Sequence, residues 1–402
     1  MARINEFTET KTIRTVRECD VLVCGGGIAG ISAAVAAARG GSKVILLERE
    51  YLLGGLATLG LVTIYLPLCD GMGHQVSFGL AEELLRLSIK HGVEARYPEM
   101  WLDREASVEE RAAGKRFEVR FNPQLFALDA EALLVKEGVE IMYGTLVADI
   151  RRDGDRITHV VVENKSGRSA IEVGSVVDTT GDCDVCHLAG AECALNTQGD
   201  KLAGWYYYFM DGKYKLKSLG FCDSPEERER SGLMHKLISP RRYNGVCADD
   251  VSEFTVKAHE ALFGSYLDIT KDAEEAFLVT VPTIPQFRMS RKLVANYILD
   301  ESEAHKRMED SVGMVSDWRK RGPVFEIPFR SLYAKEIRNL ITAGRCISVT
   351  DAMWDITRVI PDCAVTGEAA GVAAAMTDDF HTLDIRALQA ELEKRGVKLH
   401  EN

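Results

Sequence analysis

The chain has 402 residues, with 49 Lys+Arg against 61 Asp+Glu and a formal net charge of −12. Hydrophobic residues make up 46%, charged residues 27%, and there are only 10 Pro, which excludes a largely disordered chain. The acidic balance argues against nucleic acid or an anionic membrane as partner, and the length allows two domains with a substantial core.

Val21–Cys24 reads as a short apolar strand that ends in Gly25-Gly-Gly-Ile-Ala-Gly30. An Ala-rich helix is predicted from Ile31 to Arg39, closed by Gly40 and Gly41, and Lys43–Glu48 reads as a second strand. A β-α-β unit of about 30 residues is the size a parallel crossover requires. Gly54-Gly55 follows, then an amphipathic segment from Phe78 to His91. Asn122-Pro123 predicts a helix start, with Asn as cap and Pro in the first turn; the helix runs to Lys136 and ends at Gly138. Val139–Tyr143 is a further strand. Thr145–Arg151, Ile157–Glu163 and Ser169–Val173 alternate in polarity between Gly- and Asn-containing turns, the pattern of an antiparallel meander. Val176–Thr180 returns to a buried-strand pattern before Gly181-Asp182.

From Asn196 to about Arg330 aromatics (Trp205 to Phe209), basic helices and Pro-containing breaks replace the strand–helix alternation, which predicts a separate lobe. Asn339–Ala343 then reads as a last core strand, followed by Gly344 and a small-residue helix from Ala364 to Met376. The expected fold is α/β: a Rossmann-like domain with a parallel sheet and a β-meander, built from 1–195 and 331–402. Residues 196–330 would form an inserted α+β substrate lobe, or lid. The 10 cysteines are scattered and Met1–Cys19 holds no apolar leader, so reduced thiols in a cytoplasmic protein are expected. The apolar stretch Val21–Ala38 carries too many glycines for a spanning helix, and no membrane partner is expected.

Gly25-x-Gly27-x-x-Gly30, set between a strand and a helix, suits a dinucleotide pyrophosphate. The glycines permit the tight turn, the approach of the diphosphate and close helix–strand packing, and the helix start adds free amides. Glu48, at the end of the second strand, is placed to accept hydrogen bonds from ribose hydroxyls and to repel a 2′-phosphate. A nicotinamide nucleotide needs only this unit. The meander, Gly54-Gly55 and the C-terminal return suit a longer ligand.

At these residues the chain resembles the bacterial FAD-dependent oxidoreductases, within the glutathione-reductase-like flavoproteins with two dinucleotide-binding folds. Gly54–Val62, Asp178–Asp184, Pro285–Arg291, Asn339–Arg345, Arg358–Pro361 and Thr366–Gly371 carry the resemblance, which covers nearly the whole chain. Where the family pattern has Ala-Thr-Gly-Asp-Gly-Asp, this chain has Thr179-Thr-Gly-Asp-Cys-Asp184. The resemblance implies that Gly25, Gly27, Ile28, Ala29, Gly30, Glu48 and Arg49 hold the ADP half of FAD. Gly54, Gly55, Leu56 and Thr58 would run along the pyrophosphate toward the ring, and Val147 would meet the adenine. Gly344 and Arg345 would flank the pyrophosphate or ribityl chain, and Thr180 and Gly181 would also contact the cofactor. The helix beginning near Cys363 and Ala364 would aim its amides at the flavin pyrimidine edge.

Cys183-x-x-Cys186, with Cys193 nearby, reads better as buried structural thiols than as a redox pair, and no metal site is expected. His74 follows Gly71-Met-Gly73 on a loop that could reach the flavin, as catalytic group or as solvated loop residue. Arg288 and Arg291 are three apart, one turn if helical, and could grip one anion or simply pair with acids. Asp355 and Arg358 precede the last helix; near the ring, one could bind substrate and the other move a proton. The leading expectation is hydride transfer between flavin N5 and a small polar or anionic substrate. The reaction would dehydrogenate an alcohol or amine, or reduce an activated double bond. An electron-transfer subunit serving a protein partner and a non-catalytic nucleotide-binding module are the alternatives. The electron acceptor or donor is not identified, and homo-oligomerisation stays open.

Overall fold

The computed structural model describes residues 7–102, 105–220 and 238–401. Its centre is a seven-stranded sheet. Strand Thr15–Cys24 lies in the middle, parallel to Val44–Leu47 on one side and to Gly167–Asp178 on the other. Glu140–Met142 extends the sheet in parallel beyond Val44–Leu47. Leu146–Asp153 and Arg156–Asn164 add the antiparallel meander, and Leu340–Thr342 pairs in parallel with the end of Gly167–Asp178. The α/β class and the Rossmann-like plan are therefore as the sequence indicates.

Two strands differ from the expectation. The first begins at Thr15 rather than Val21, because its exposed polar half is held by pairing with Ala170–Val173 and not by an apolar pattern. Ser169–Val173 and Val176–Thr180 are not two strands but one, Gly167–Asp178. Gly174, between the two expected segments, permits close approach: a Cβ there would lie 2.6 Å from the Asp20 carbonyl oxygen.

Helix Ile28–Arg39 packs on the sheet with ten buried residues, five of them alanine. Against it lies helix Ile360–Met376, which starts before Ala364 and has Pro361 in its first turn. The contact is set by two glycines one turn apart. A Cβ on Gly367 would sit 2.3 Å from the Ala29 carbonyl oxygen, and one on Gly371 would sit 2.2 Å from that of Ala33. No larger residue fits, so the two backbones touch and the two N-termini come to the same end of the sheet. The preceding helix, Asp351–Thr357, meets Ile360–Met376 at 91°, which turns Arg358 toward that end. Helix Pro123–Lys136 is capped by Asn122, whose side chain accepts from the Leu125 amide, as its sequence predicts. Phe78–His91 contains helix Leu80–Ser88.

Beyond Asn196, strands Lys213–Lys217, Tyr206–Met210 and Ala276–Thr280 form a three-stranded antiparallel sheet, with Trp205 buried beside it. Helix Ala248–Thr270 packs behind Tyr206 and Tyr208 through Leu262 and opens on Asp249 and Asp250, so this helix is not basic at its start. Hairpin Ser311–Ser316/Val324–Pro328 lies with the body, because Val312, Val315, Phe325 and Ile327 join the core of the two long helices. No single helix among the described residues is long and apolar enough to cross a membrane.

Candidate functional site

One cavity opens at the end of the sheet where both helix N-termini point, and both ends of the chain line it: Gly25, Gly27, Ile28 and Ala29 from one, Gly344, Arg345, Arg358, Ile360 and Cys363 from the other. Neither helix has a side-chain cap; Gly27 and Val359 stand at the cap positions. The contrast is with Asn122, Thr350 and Asp384, each of which caps its own helix. Two uncapped N-termini facing one space make a site for negative charge.

The nest is built from backbone. Gly25 has φ +108, and a Cβ on it would meet the Thr179 carbonyl oxygen at 2.5 Å. Gly27 bridges to Gly54, its own Cβ position is open, and Gly55 lies against it, so bare main chain walls the cavity here. Gly30 does not line the cavity but packs the helix on the strand, its Cβ position 1.8 Å from the Gly25 carbonyl oxygen. Glu48 is buried on the rim, accepting from the Gly26 and Glu50 amides at 2.8 Å each. Burial raises its pKa against those two hydrogen bonds. Arg49, Leu56, Val147, Thr180 and Gly181 also line the space. The Arg345 guanidinium lies where a Cβ on Gly181 would be, and its Nη1 donates to the Phe287 carbonyl oxygen at 2.9 Å.

Thr58 and Ala364 are placed differently from the expectation. The Thr58 hydroxyl turns back to the Leu53 carbonyl and its methyl lies under Gly54, away from the cavity. Ala364 is buried on the first helix, its carbonyl accepting from Ser32. His74 does not line the cavity; it is exposed and its Nδ1 lies 3.0 Å from Asp70 Oδ2 within a tight loop. Arg288 and Arg291 are not on a helix. Arg291–Leu293 is a strand, and the two side chains diverge: Arg291 bonds Asp184 and the Asp182 carbonyl, while Arg288 lies over Trp205 and bonds Gln286. The bend at Met289-Ser290 and the absence of a helix separate them.

Asp355 and Arg358 do come together, at 2.7 Å. Arg358 reaches the cavity, whereas Asp355 is fully buried behind it and lines nothing. Arg319 bridges Asp355, at 3.2 Å, to Asp317, at 2.9 Å, so four alternating charges run back from the cavity. Asp355 therefore touches the Arg358 guanidinium from behind and does not itself face the cavity. Asp182 and Asp184 also line the cavity and escaped the sequence reading, though both lie in the Asp178–Asp184 motif. Burial, with Asp182 and Asp178 nearby, pushes the Asp184 pKa up to about 6 against the pull of Arg291. Gly245, Val251, Ile284 and Phe287 close the mouth from the lobe, and of these only Phe287 lies in a motif, Pro285–Arg291.

A family model described as FAD dependent oxidoreductase matches residues 20–204 and 227–392. No curated protein matches the chain. Among solved structures, a geranylgeranyl bacteriochlorophyll reductase-like protein from Thermoplasma acidophilum is 14% identical, with a TM-score of 0.49, 94% of this chain and 83% of that one covered. CabE, an aromatic hydroxylase from angucycline biosynthesis, is 13% identical, with a TM-score of 0.45 over 96% of this chain and 69% of that one. The flavin-dependent brominase Bmp2, as a triple mutant, is 12% identical at a TM-score of 0.43, covering 94% and 84%.

Proposed function

Because the chain belongs to the FAD dependent oxidoreductase family, and is an enzyme that uses FAD, we propose that it transfers a hydride between flavin N5 and a small anionic or polar organic substrate. The residues present fit the cofactor: a backbone nest with an uncapped helix, a buried carboxylate for ribose hydroxyls, and a second uncapped helix for the ring. We further place it among the glutathione-reductase-like flavoproteins, on the meander and the C-terminal return. When bound, FAD supplies a two-electron acceptor or donor that exchanges hydride at N5.

The chain's own residues do the rest. Glu48 and the Gly25–Ala29 nest hold the nucleotide half, and the start of helix Ile360–Met376 offers its dipole to charge at the pyrimidine edge. The single observation that carries the substrate reading is Arg358. A guanidinium fixed at the cavity by a buried carboxylate is a rigid anchor for a carboxylate or phosphate. Asp355 and Arg319 hold it there and so spare it a search through rotamers on binding. The lobe from Asn196, through Ile284, Pro285 and Phe287, would cover the reacting atoms and keep water out. The working partners are then a small molecule and an electron acceptor or donor, in the cytoplasm, without nucleic acid or membrane.

The test is anaerobic mixing of FAD-loaded protein with a panel of metabolites, watching the flavin absorption. Anionic alcohols, amines or enes should bleach or reoxidise it, with Arg358→Ala raising the concentration for half-maximal rate about 10–100-fold, the worth of one charged hydrogen bond. A response from uncharged compounds alone, or one that Arg358→Ala leaves unchanged, sinks this reading.

A further inference from the structure

Behind the loop that lines the cavity, three cysteine sulfurs gather around Cys183. Its Sγ lies 4.0 Å from that of Cys193, and its amide donates to Cys346 Sγ at 3.3 Å. Cys186 Sγ and an Asp178 oxygen lie within 4.8 Å of it. Cys183, Cys186 and Cys346 are buried, while Cys193 is half-buried. Cys183 also has φ +55, in the left-handed region that favours glycine. A side chain kept where glycine would sit without strain points to work for its sulfur.

A metal ion suits the cluster poorly. Four tetrahedral thiolate ligands lie about 3.8 Å from one another, whereas here only Asp178, Cys183 and Cys186 share one neighbourhood. The Asp178 carboxylate is also already bonded by the Thr180 amide and hydroxyl and by the Cys186 amide. Cys183 Sγ thus has two sulfur neighbours, Cys193 at 4.0 Å and Cys186 within 4.8 Å, and of the two only Cys193 is half-exposed and open to an oxidant from solvent. We propose that Cys183 and Cys193 form a reversible disulfide on exposure to a peroxide, tying the cofactor loop to the root of the lobe.

The two thiols are unequal in the way such a step needs. The contact with the Cys183 thiol, together with the nearby Arg291, lowers the Cys193 pKa against burial and Asp178. Burial and the surrounding thiols raise that of Cys183. Cys193 is therefore the thiolate that attacks. Its sulfur bonds one peroxide oxygen, the O–O bond breaks, and the departing oxygen leaves as water after taking a proton. Cys193 is now a sulfenic acid. Cys183 Sγ then bonds Cys193 Sγ, the S–O bond breaks, and the hydroxyl leaves as a second water with the Cys183 proton. In sum, two thiols are oxidised by two electrons and one hydrogen peroxide is reduced to two waters. The sulfurs have to close from 4.0 Å to about 2.05 Å.

The bridge would join two places that matter to the site. Cys183 sits between Asp182 and Asp184, which line the cavity. Cys193 opens strand Cys193–Leu195, which pairs with Arg291–Leu293 where the chain passes into the lobe and returns from it.

The experiment titrates FAD-loaded full-length protein with hydrogen peroxide, blocks free thiols with N-ethylmaleimide and maps the peptides. The expected result is one linked peptide pair holding Cys183 and Cys193, lighter by two hydrogens, reversed by dithiothreitol and absent in Cys193→Ser. Cys183→Gly, which suits the left-handed backbone, should fold and leave a Cys193 sulfenic acid that dimedone traps. The proposal is overturned if Cys183 links instead to Cys186 or Cys346. It is equally overturned if Cys193 stays open to alkylation at peroxide levels that modify the exposed Cys247.

Discussion

The two sides of the cavity are built from different materials. On the N-terminal side the wall is backbone: Gly25, Gly27, Gly54 and Gly55, with Glu48 as its one buried carboxylate. On the C-terminal side it is side chains: Arg345 and Arg358 at the surface, with Asp355, Arg319 and Asp317 in a charged row behind Arg358. Amides and bare Cα atoms hold any molecule with the right diphosphate, and they leave no room for variation. On the proposed function, the anchored Arg358 would select among reacting molecules. Cofactor retention and substrate choice should therefore respond to different mutations, although both sides depend on the contact between the two long helices.

That contact is where the comparison breaks most completely. Gly371→Val would push a branched side chain into the Ala33 carbonyl, 2.2 Å from the Cβ position, and force the helices apart. Overpacking of this kind costs about 3 kcal/mol or more, since backbone cannot yield as a side chain can. Denaturant unfolding should show that loss, and gel filtration should show FAD leaving the protein. A variant as stable as wild type would mean that the helices do not meet as described.

The same helix carries a second, pH-dependent expectation. Glu368 is buried and accepts from the Leu80 amide at 2.7 Å, capping helix Leu80–Ser88 in place of Gly79. Burial raises its pKa to about 7, more than the Leu80 amide and the distant Arg395 lower it. The folded value thus lies above the unfolded one, near 4.3. Its contribution is fully present below pH 4.3 and is lost as pH rises toward and through 7. The shift corresponds to about 3 kcal/mol. Glu368→Gln keeps an acceptor for Leu80 but has no proton to lose. Its stability should match wild type near pH 4 and exceed it by most of that amount at pH 8, in denaturant titrations across the range. Parallel curves for the two proteins would rule this out.

Glu48→Ala tests the backbone side. It leaves the Gly26 and Glu50 amides without their acceptor and removes the group facing the ribose. FAD affinity should fall about 10–100-fold by fluorescence titration, the worth of a charged hydrogen bond. Substrate selectivity of protein saturated with FAD should not change. Altered selectivity would mean that the two sides are one unit.

How much of this was legible varies by region, for physical reasons. The glycine nest, Glu48, Gly344, Arg345 and Arg358 were readable, because close backbone approach and a strand–helix turn leave short local patterns. Asp355 was found, but its role was not: only the fold places Arg319, 36 residues before it in the chain, on its other oxygen. A three-residue spacing brings Arg288 and Arg291 together only on a helix, and here a bend at Met289-Ser290 leads into strand Arg291–Leu293. Gly245, Val251 and Ile284 left no trace, since they reach the cavity through lobe packing that no local spacing encodes. The Cys183–Cys193 approach was hidden in the same way, behind the more conspicuous Cys183-x-x-Cys186.

The smallest effect is the one that sharpens the comparison furthest. Arg49 lines the cavity beside Glu48, and by sign alone it should attract a pyrophosphate. Yet its side chain is 49% exposed and the Glu50 carboxylate, itself 36% exposed, is 3.6 Å away. A cation in that setting acts through water and salt, and exposed pairs are worth about 0–1 kcal/mol. Arg49→Ala should therefore weaken FAD binding no more than about fivefold at low salt, and the difference should vanish as ionic strength rises past a few hundred millimolar. Fluorescence titration at two salt concentrations measures it. If Arg49→Ala cost as much as Glu48→Ala at high salt, the N-terminal wall would hold its ligand by side-chain charge, as the C-terminal wall does, and the division between the two would fall.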